Sequence, residues 1–267
     1  MHVLAASFFA RHPELSLAAL GASANEEALD LKPVGVPVKF LPAEHHAEVV
    51  RQYRELNQLA FGSIGVPNWV LSDLYLLPGA IGLLRCPARM LEDEARQRLG
   101  LSDEALAIGA AYYAAPSVVP GLVIGVSLLS FVHGIRAGSW VKMLTLRMLR
   151  ARRMRGVAQW NNPSLRVHTR LGPLRLVGSV PGDHEYADRS FLYETELVDE
   201  VRQVAAMERK LVLPPTLRVL VADTAALATL LRRAQEGEVL HLVPPGAEAG
   251  RILVHEGPLQ EGSGPAV

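Results

Sequence analysis

An imidazole can give or take a proton near neutral pH, and one of the nine histidines of this chain is His168. It stands in the run Asn161-Asn162-Pro163-Ser164-Leu165-Arg166-Val167-His168, which continues to Gly172. Asn caps free backbone amides and Pro fits a first helical turn, so this run predicts a helix that ends at Gly172. Leu165 and Leu171 flank His168, so one side of that helix faces the core and His168 is expected to point into a cleft. Upstream, Ser127, Ser130, His133 and Arg136 follow one another toward Gly138 at the end of an apolar run. From Ala105 to Gly182 there is no Asp or Glu, while Arg136, Lys142, Arg147, Arg150, Arg152, Arg153, Arg155, Arg166, Arg170 and Arg175 are all basic. A general base in this span would be an ordered water or His133 rather than a carboxylate.

Several chemistries are excluded or disfavoured. Cys86 is the sole cysteine, so no intrachain disulfide forms. No Cys/His cluster has metal-ligand spacing, and no metal site is expected. Lys plus Arg equals Asp plus Glu at 27 each, so no overall field favours nucleic acid. Met1–Ala10 lacks a basic lead-in and a long apolar run, which disfavours a signal peptide and suggests a cytoplasmic protein. Ala105–Val132 is uncharged and long enough to span a bilayer, but Pro116, Pro120 and Gly121 divide it into two strand-length pieces. The expectation is a hairpin of buried strands, with no membrane span.

The elements that would position these groups read as follows. HVLAASFF is strand-like, and Pro33, Gly35 and Pro37 mark a boundary. VPVKFL reads as a strand and Pro42–Phe61 as an amphipathic helix. AIGLLRCP reads as a strand, Leu91–Leu99 as a charged helix, and Ser102 opens a short capped turn. ALAIGAAYYAA and LVIGVSLLSFV are long central strands, the second leading into the glycine loop. VKMLTLRMLRARRMRG predicts a long helix ending at Gly156, which puts Arg147, Arg150 and Arg153 on one side. VAQW, the capped helix and the strand SFLYE follow. Beyond Glu196, Val198–Arg209 reads as helix, LRVLVA as strand, Asp223 or Thr224 as the cap of a helix to Gln235, and EVLHLV as strand. The expected division is an extension over 1–34, a main domain over 35–197, and a small β-α-β appendage with a flexible tail over 198–267.

The order strand, glycine loop, helix, strand, capped helix, strand resembles the second half of the GNAT acyltransferase superfamily. Arg136 matches the start of that family's pyrophosphate loop, with Ser139 and Val141 where the family has glycines. Asn161, Ser164, His168 and Gly172 resemble its fourth-helix pattern, with His168 at a position often held by Tyr. The resemblance covers roughly Val36–Glu196. It implies an α/β fold with a GNAT-like central mixed sheet flanked by helices. It implies N-acyl transfer from acyl-CoA, or from another phosphopantetheine-linked acyl thioester, to a small-molecule or peptide amine. A backbone amide of the fourth strand would polarise the thioester carbonyl, and His168 would be the general acid. Ser127, Leu128, His133, Arg136, Gly138, Ser139, Lys142, Asn161 and Ser164 would hold the thioester carrier. Trp69, Asp73 and Tyr75, with Tyr112 and Tyr113 on opposite faces of the third strand, would lie toward the acceptor. The surplus basic charge at Arg147, Arg150 and Arg153 suggests an acyl carrier protein as partner. GNAT-like malonyl-thioester decarboxylases of polyketide pathways also resemble this chain in placing a His on the fourth helix. A non-catalytic acyl-CoA-binding module is the third reading.

Overall fold

The computed structural model describes residues 2–20, 38–40, 43–67, 70, 79–180, 189–197 and 213–259. It is a mixed α/β fold with two compact units, Met1–Ala151 and Arg152–Val267.

The N-terminal unit is built on strands β1 (Ser16–Leu20), β2 (Val38–Phe40), β3 (Ala80–Pro87), β4 (Leu106–Pro116) and β5 (Leu122–Ser130). Their order is β2-β1-β3-β4-β5; β1 runs parallel to β2, and the other neighbours are antiparallel. The uncharged span over 105–132 is the β4–β5 hairpin, turned at Gly121 with φ of 75°. Among the described residues no helix is long and apolar enough to cross a membrane.

Two expectations at the N-terminus are corrected. HVLAASFF is not a strand but helix α1 (His2–Arg11), in keeping with the helix preference of its Ala and Leu residues. Its Phe8 stacks on Trp140 with ring centroids 4.6 Å apart. The strand beside β3 is SLAAL, and the expected first strand contributes only Val38–Phe40, outside it. Residues of the 1–34 segment therefore supply α1 and β1 to this unit.

Helices α2 (Ala43–Phe61), α3 (Asp93–Leu99) and α4 (Ala137–Met148) complete the unit. The long helix expected to run to Gly156 ends at Met148. Arg147 lies in its last turn, Arg150 turns the chain with φ of 50°, and Arg153 begins a strand. The three arginines thus form no helical stripe. The cause lies in RMRGVAQ, which alternates buried Met154, Gly156 and Ala158 with outward Arg155 and Val157, a period of two. Helix α4 is buried almost all round, and it packs against β3 and β4. A Cβ at Gly82 of β3 would overlap the Thr145 hydroxyl, so this glycine sets how closely the helix approaches.

The C-terminal unit comprises β6 (Arg153–Gln159), α5 (Leu165–His168) with a 3₁₀ turn over Thr169–Leu171, β7 (Leu174–Ser179), β8 (Ser190–Glu196), β9 (Leu217–Leu220), α6 (Thr224–Gln235), β10 (Leu240–Glu248) and β11 (Arg251–Glu256). The strand order is β6-β8-β7-β10-β11-β9, antiparallel throughout. Asp223 caps α6 as expected, its side chain accepting from the Ala226 amide at 2.9 Å. Strand β10 runs on through Pro244 and Pro245 by way of a register shift, and RILVHE adds β11, which the β-α-β expectation lacked. His241 pairs with Arg175, so these strands continue the sheet that contains β7. The helix expected over 198–209 and the expected flexible tail EGSGPAV, from 261 onward, lie outside the described residues.

Buried Gln52 of α2 holds β4 at its irregular end. Its Oε1 accepts from the Ile108 amide at 3.0 Å, and its Nε2 donates to the Leu106 carbonyl at 3.2 Å. Gln52→Leu leaves the buried Ile108 amide without that partner and removes the bond to the Leu106 carbonyl, and it is expected to cost about 2 kcal/mol. Urea unfolding should show an earlier midpoint, and hydrogen exchange at the Ile108 amide should quicken.

Candidate active site

His168 sits in the C-terminal unit, at the end of a single turn that its own sequence builds. Asn162 Oδ1 accepts from the Ser164 amide at 2.8 Å, which folds the chain over Pro163, and the His168 amide closes the turn onto the Ser164 carbonyl at 2.9 Å. Leu165 and His168 are both buried, so the imidazole points inward from the same side as the anchoring leucine. Asn161 lies exposed at the start of this turn.

Within the sheet the imidazole meets a tyrosine that sequence reasoning did not single out. Nδ1 of His168 lies 3.1 Å from the Tyr193 hydroxyl, with ring centroids 5.4 Å apart. Tyr193 occupies the middle of β8, directly opposite Gly156 on β6 and Leu176 on β7. A Cβ at Gly156 would stand 2.7 Å from the Tyr193 oxygen, so the glycine makes the room in which the hydroxyl sits. Gly156 therefore serves this strand contact and not a helix terminus. Burial drives the Tyr193 phenol well above its ordinary pKa, and it stays protonated across the physiological range. The signal available in the sequence was the alternation of SFLYE, which puts Phe191 and Tyr193 on one face. Phe191 stacks on Trp160 with centroids 4.0 Å apart, and the buried Trp160 Nε1 has no hydrogen-bond partner among the described residues.

The other expected site residues lie in the N-terminal unit. Buried Ser127 of β5 makes a short hydrogen bond to the hydroxyl of Tyr53, a buried residue of α2. Tyr113 pairs across the strands with Ser127 and shares its face, and Tyr112 faces the opposite side beneath α4. Leu128 is half-buried on β5. His133 is mostly exposed, with Nε2 3.0 Å from Glu92 of the neighbouring loop. Arg136 precedes α4 in the left-handed conformation, and its carbonyl accepts from the Ser139 and Trp140 amides at 3.0 and 3.1 Å. Gly138 and Ser139 are buried in the first turn of the helix. Lys142 is fully buried, its Nζ 5.5 Å from the Tyr112 ring centroid. Trp69, Asp73 and Tyr75 lie outside the described residues. Among the described residues no group of His, Cys, Asp or Glu is arranged to hold a metal.

Strand β5, the glycine loop, α4, β6 and the capped turn follow in the expected succession, and the unexpected strand β7 then precedes the expected strand SFLYE, which is β8. The solved structure described as "Crystal structure of a putative phosphinothricin N-acetyltransferase" is similar at 13% identity and a TM-score of 0.39, covering 69% of this chain and 99% of that one. No family model and no curated protein matches the sequence.

Two pieces of chemistry are in place. The imidazole of His168 has one nitrogen engaged by a phenol. Lys142 is held away from solvent, and burial lowers its pKa well below the ordinary 10.5. The unfolded chain then binds more protons than the folded one at pH values between the lowered pKa and 10.5. Stability should therefore rise with pH across that window. Lys142→Met keeps the length of the side chain and removes the titrating amine. Urea midpoints measured from neutral to alkaline pH should show a shallower rise for this variant than for the native chain.

Proposed function

We propose that the protein is an acyltransferase that moves an acyl group from a phosphopantetheine thioester to an amine, with His168 as general acid. The observation that carries this reading is the buried His168–Tyr193 contact at the end of a purpose-built turn. Attack by the amine on the thioester carbonyl gives a tetrahedral intermediate, whose collapse expels a thiolate. His168 in its imidazolium form gives a proton to that sulfur as the C–S bond breaks, and the neutral ring is reprotonated from solvent. The amine loses its proton to water, since the described residues offer no carboxylate on β5 and His133 is engaged by Glu92.

The donor is acyl-CoA or an acyl thioester on a carrier protein. The glycine loop before α4, with Arg136, is suited to the phosphates of either. The carrier-protein half of this proposal no longer has a helical arginine stripe behind it, because Arg147, Arg150 and Arg153 fall in a helix end, a turn and a strand.

Malonyl-thioester decarboxylation is the second reading, favoured by the absence of Asp and Glu over 105–182. It needs a donor to an enolate oxygen and no amine base. Incubation with acetyl- and malonyl-CoA in the presence of a mixture of amines, followed by mass spectrometry, separates the two. Acyl transfer yields an amide and free CoA; decarboxylation converts malonyl- to acetyl-CoA; neither change would support a binding module. His168→Phe keeps the bulk and removes the proton donor, and turnover should fall about a hundredfold. Unchanged turnover with a native melting profile would make His168 structural.

A further inference from the structure

We infer that the seam between β7 and β10 is acid-labile: a proton gained at His241 parts β10, and the strands beyond it, from β7. The inference stands apart from the acyltransferase reading, because it concerns only the sheet of the C-terminal unit. The seam is short. Strands β7 and β10 pair at two positions, His241 opposite Arg175 and Leu242 opposite Leu174, whereas β6 and β8 pair at seven. On its other side His241 is opposite His255 of β11. Directly opposed residues of an antiparallel pair share a face, with Cβ atoms about 5 Å apart. One face of the sheet therefore carries Arg175, His241 and His255 side by side on three successive strands. The His241 side chain is only 8% exposed, and its buried Nδ1 has no hydrogen-bond partner among the described residues. Burial holds its pKa below the ordinary 6.5, and nearby His255 and Arg175 act in the same direction; a hydrogen bond to the Gly257 backbone works against them.

The nearby carboxylates are engaged or turned away. Glu194, opposite Arg175 on β8, is bonded to Arg153 and Arg155. Glu256 follows His255 on β11 and shares the other face with Leu240, where Arg233 of α6 holds it. The turn bearing Arg166, His168 and Arg170 meets β10 through Leu165 and Thr169, at Gly246 near the far end of the strand. A proton on His241 thus sets a second full charge opposite Arg175, and like charges directly opposed weaken a strand pair. The parted chain takes up that proton near pH 6.5 and the closed seam resists it. Closure is therefore favoured above pH 6.5 and loses its advantage as pH falls toward the lowered pKa. Strand β10 also supports the turn that carries His168, since a Cβ at Gly246 would stand 3.0 Å from the Leu165 Cβ. Parting the seam removes that support, which makes it an acid-sensitive restraint on the candidate active site.

The test is hydrogen exchange on the full chain, expressed as protection relative to the free-peptide rate at each pH. As pH falls below 6.5, the amides that bond across the seam at Leu174, Arg175, His241 and Leu242 should lose protection, by up to about tenfold per pH unit for one coupled proton. Amides of the β6–β8 ladder should keep theirs. His241→Phe retains an aromatic ring and removes the titrating nitrogens, so seam protection should no longer depend on pH. Arg175→Gln removes the opposing charge and should make the loss shallower; as a change at an exposed position it decides the matter should His241→Phe fail to fold. Seam protection that does not fall with pH in the native chain would overturn the inference. So would an undiminished fall in the variants, or a parallel fall in the β6–β8 ladder, which would mark global unfolding. Loss of the acyltransferase reading through an active His168→Phe would leave these exchange results, and the inference, standing.

Discussion

A phenol buried in a sheet must keep its hydroxyl bonded, because an unpaired O–H away from water costs on the order of 1–3 kcal/mol. Tyr193 meets that constraint with His168, and the local structure follows from it. The strand opposite carries a glycine where a side chain would collide with the oxygen. The turn that delivers His168 is closed by Asn162 onto Ser164, so the imidazole arrives from a short segment with little freedom to swing. The same constraint recurs in the N-terminal unit, where the buried Tyr53 hydroxyl is bonded to Ser127 and Gln52 occupies backbone groups of β4. Ser127 is thereby engaged by a residue of α2.

Close packing of helix on sheet accounts for a second set of features. Helix α4 lies against β3 and β4 with Gly82 beneath Thr145, and Trp140 stacks on Phe8 of α1. A helix covered on both sides buries residues of every type, and Lys142, Ser139 and Thr145 are all inside. The lysine pays for that in lost hydration, which its lowered pKa records. The resemblance to a phosphate-binding loop points to Lys142 as a phosphate ligand, whereas its amine lies over the Tyr112 ring in the interior.

The parts of the fold legible in the sequence were those with an uninterrupted pattern. The β4–β5 hairpin was marked by Pro116, Pro120 and Gly121, and α2, α6 and the His168 turn by their periodicity or caps. The boundary between α4 and β6 was not, because the arginines at three-residue steps in VKMLTLRMLRARRMRG also fit a strand once the chain turns at Arg150. Basic residues are compatible with either element when their charged ends reach solvent, so the apolar positions Met154, Gly156 and Ala158 decide. Strand β1 was missed because SLAAL carries residues with no strong strand preference; its state is set by pairing with β3. Tyr193 was invisible as a site residue for a related reason: its partner is 25 positions away in sequence, and its room comes from a glycine on a third element.

Charge behaves the same way. The span over 105–182 has no acidic residue, which in one dimension looks like an unbalanced basic surface. In the folded C-terminal unit the balance is supplied from across the strands. Glu194 of β8 accepts from Arg153 at 3.2 Å and from Arg155 at 2.9 Å, and it is directly opposite Arg175 on the other side. Its own side chain is only 13% exposed, so the pairing is partly sheltered from salt. A docking surface for an acidic protein requires cations that remain available after folding, and two of the ten arise in a strand ladder that already holds its carboxylate. A charge census taken along the chain overstates the field that a partner would meet, and the arginines of β6 are better understood as part of the sheet that holds Tyr193 in line with His168.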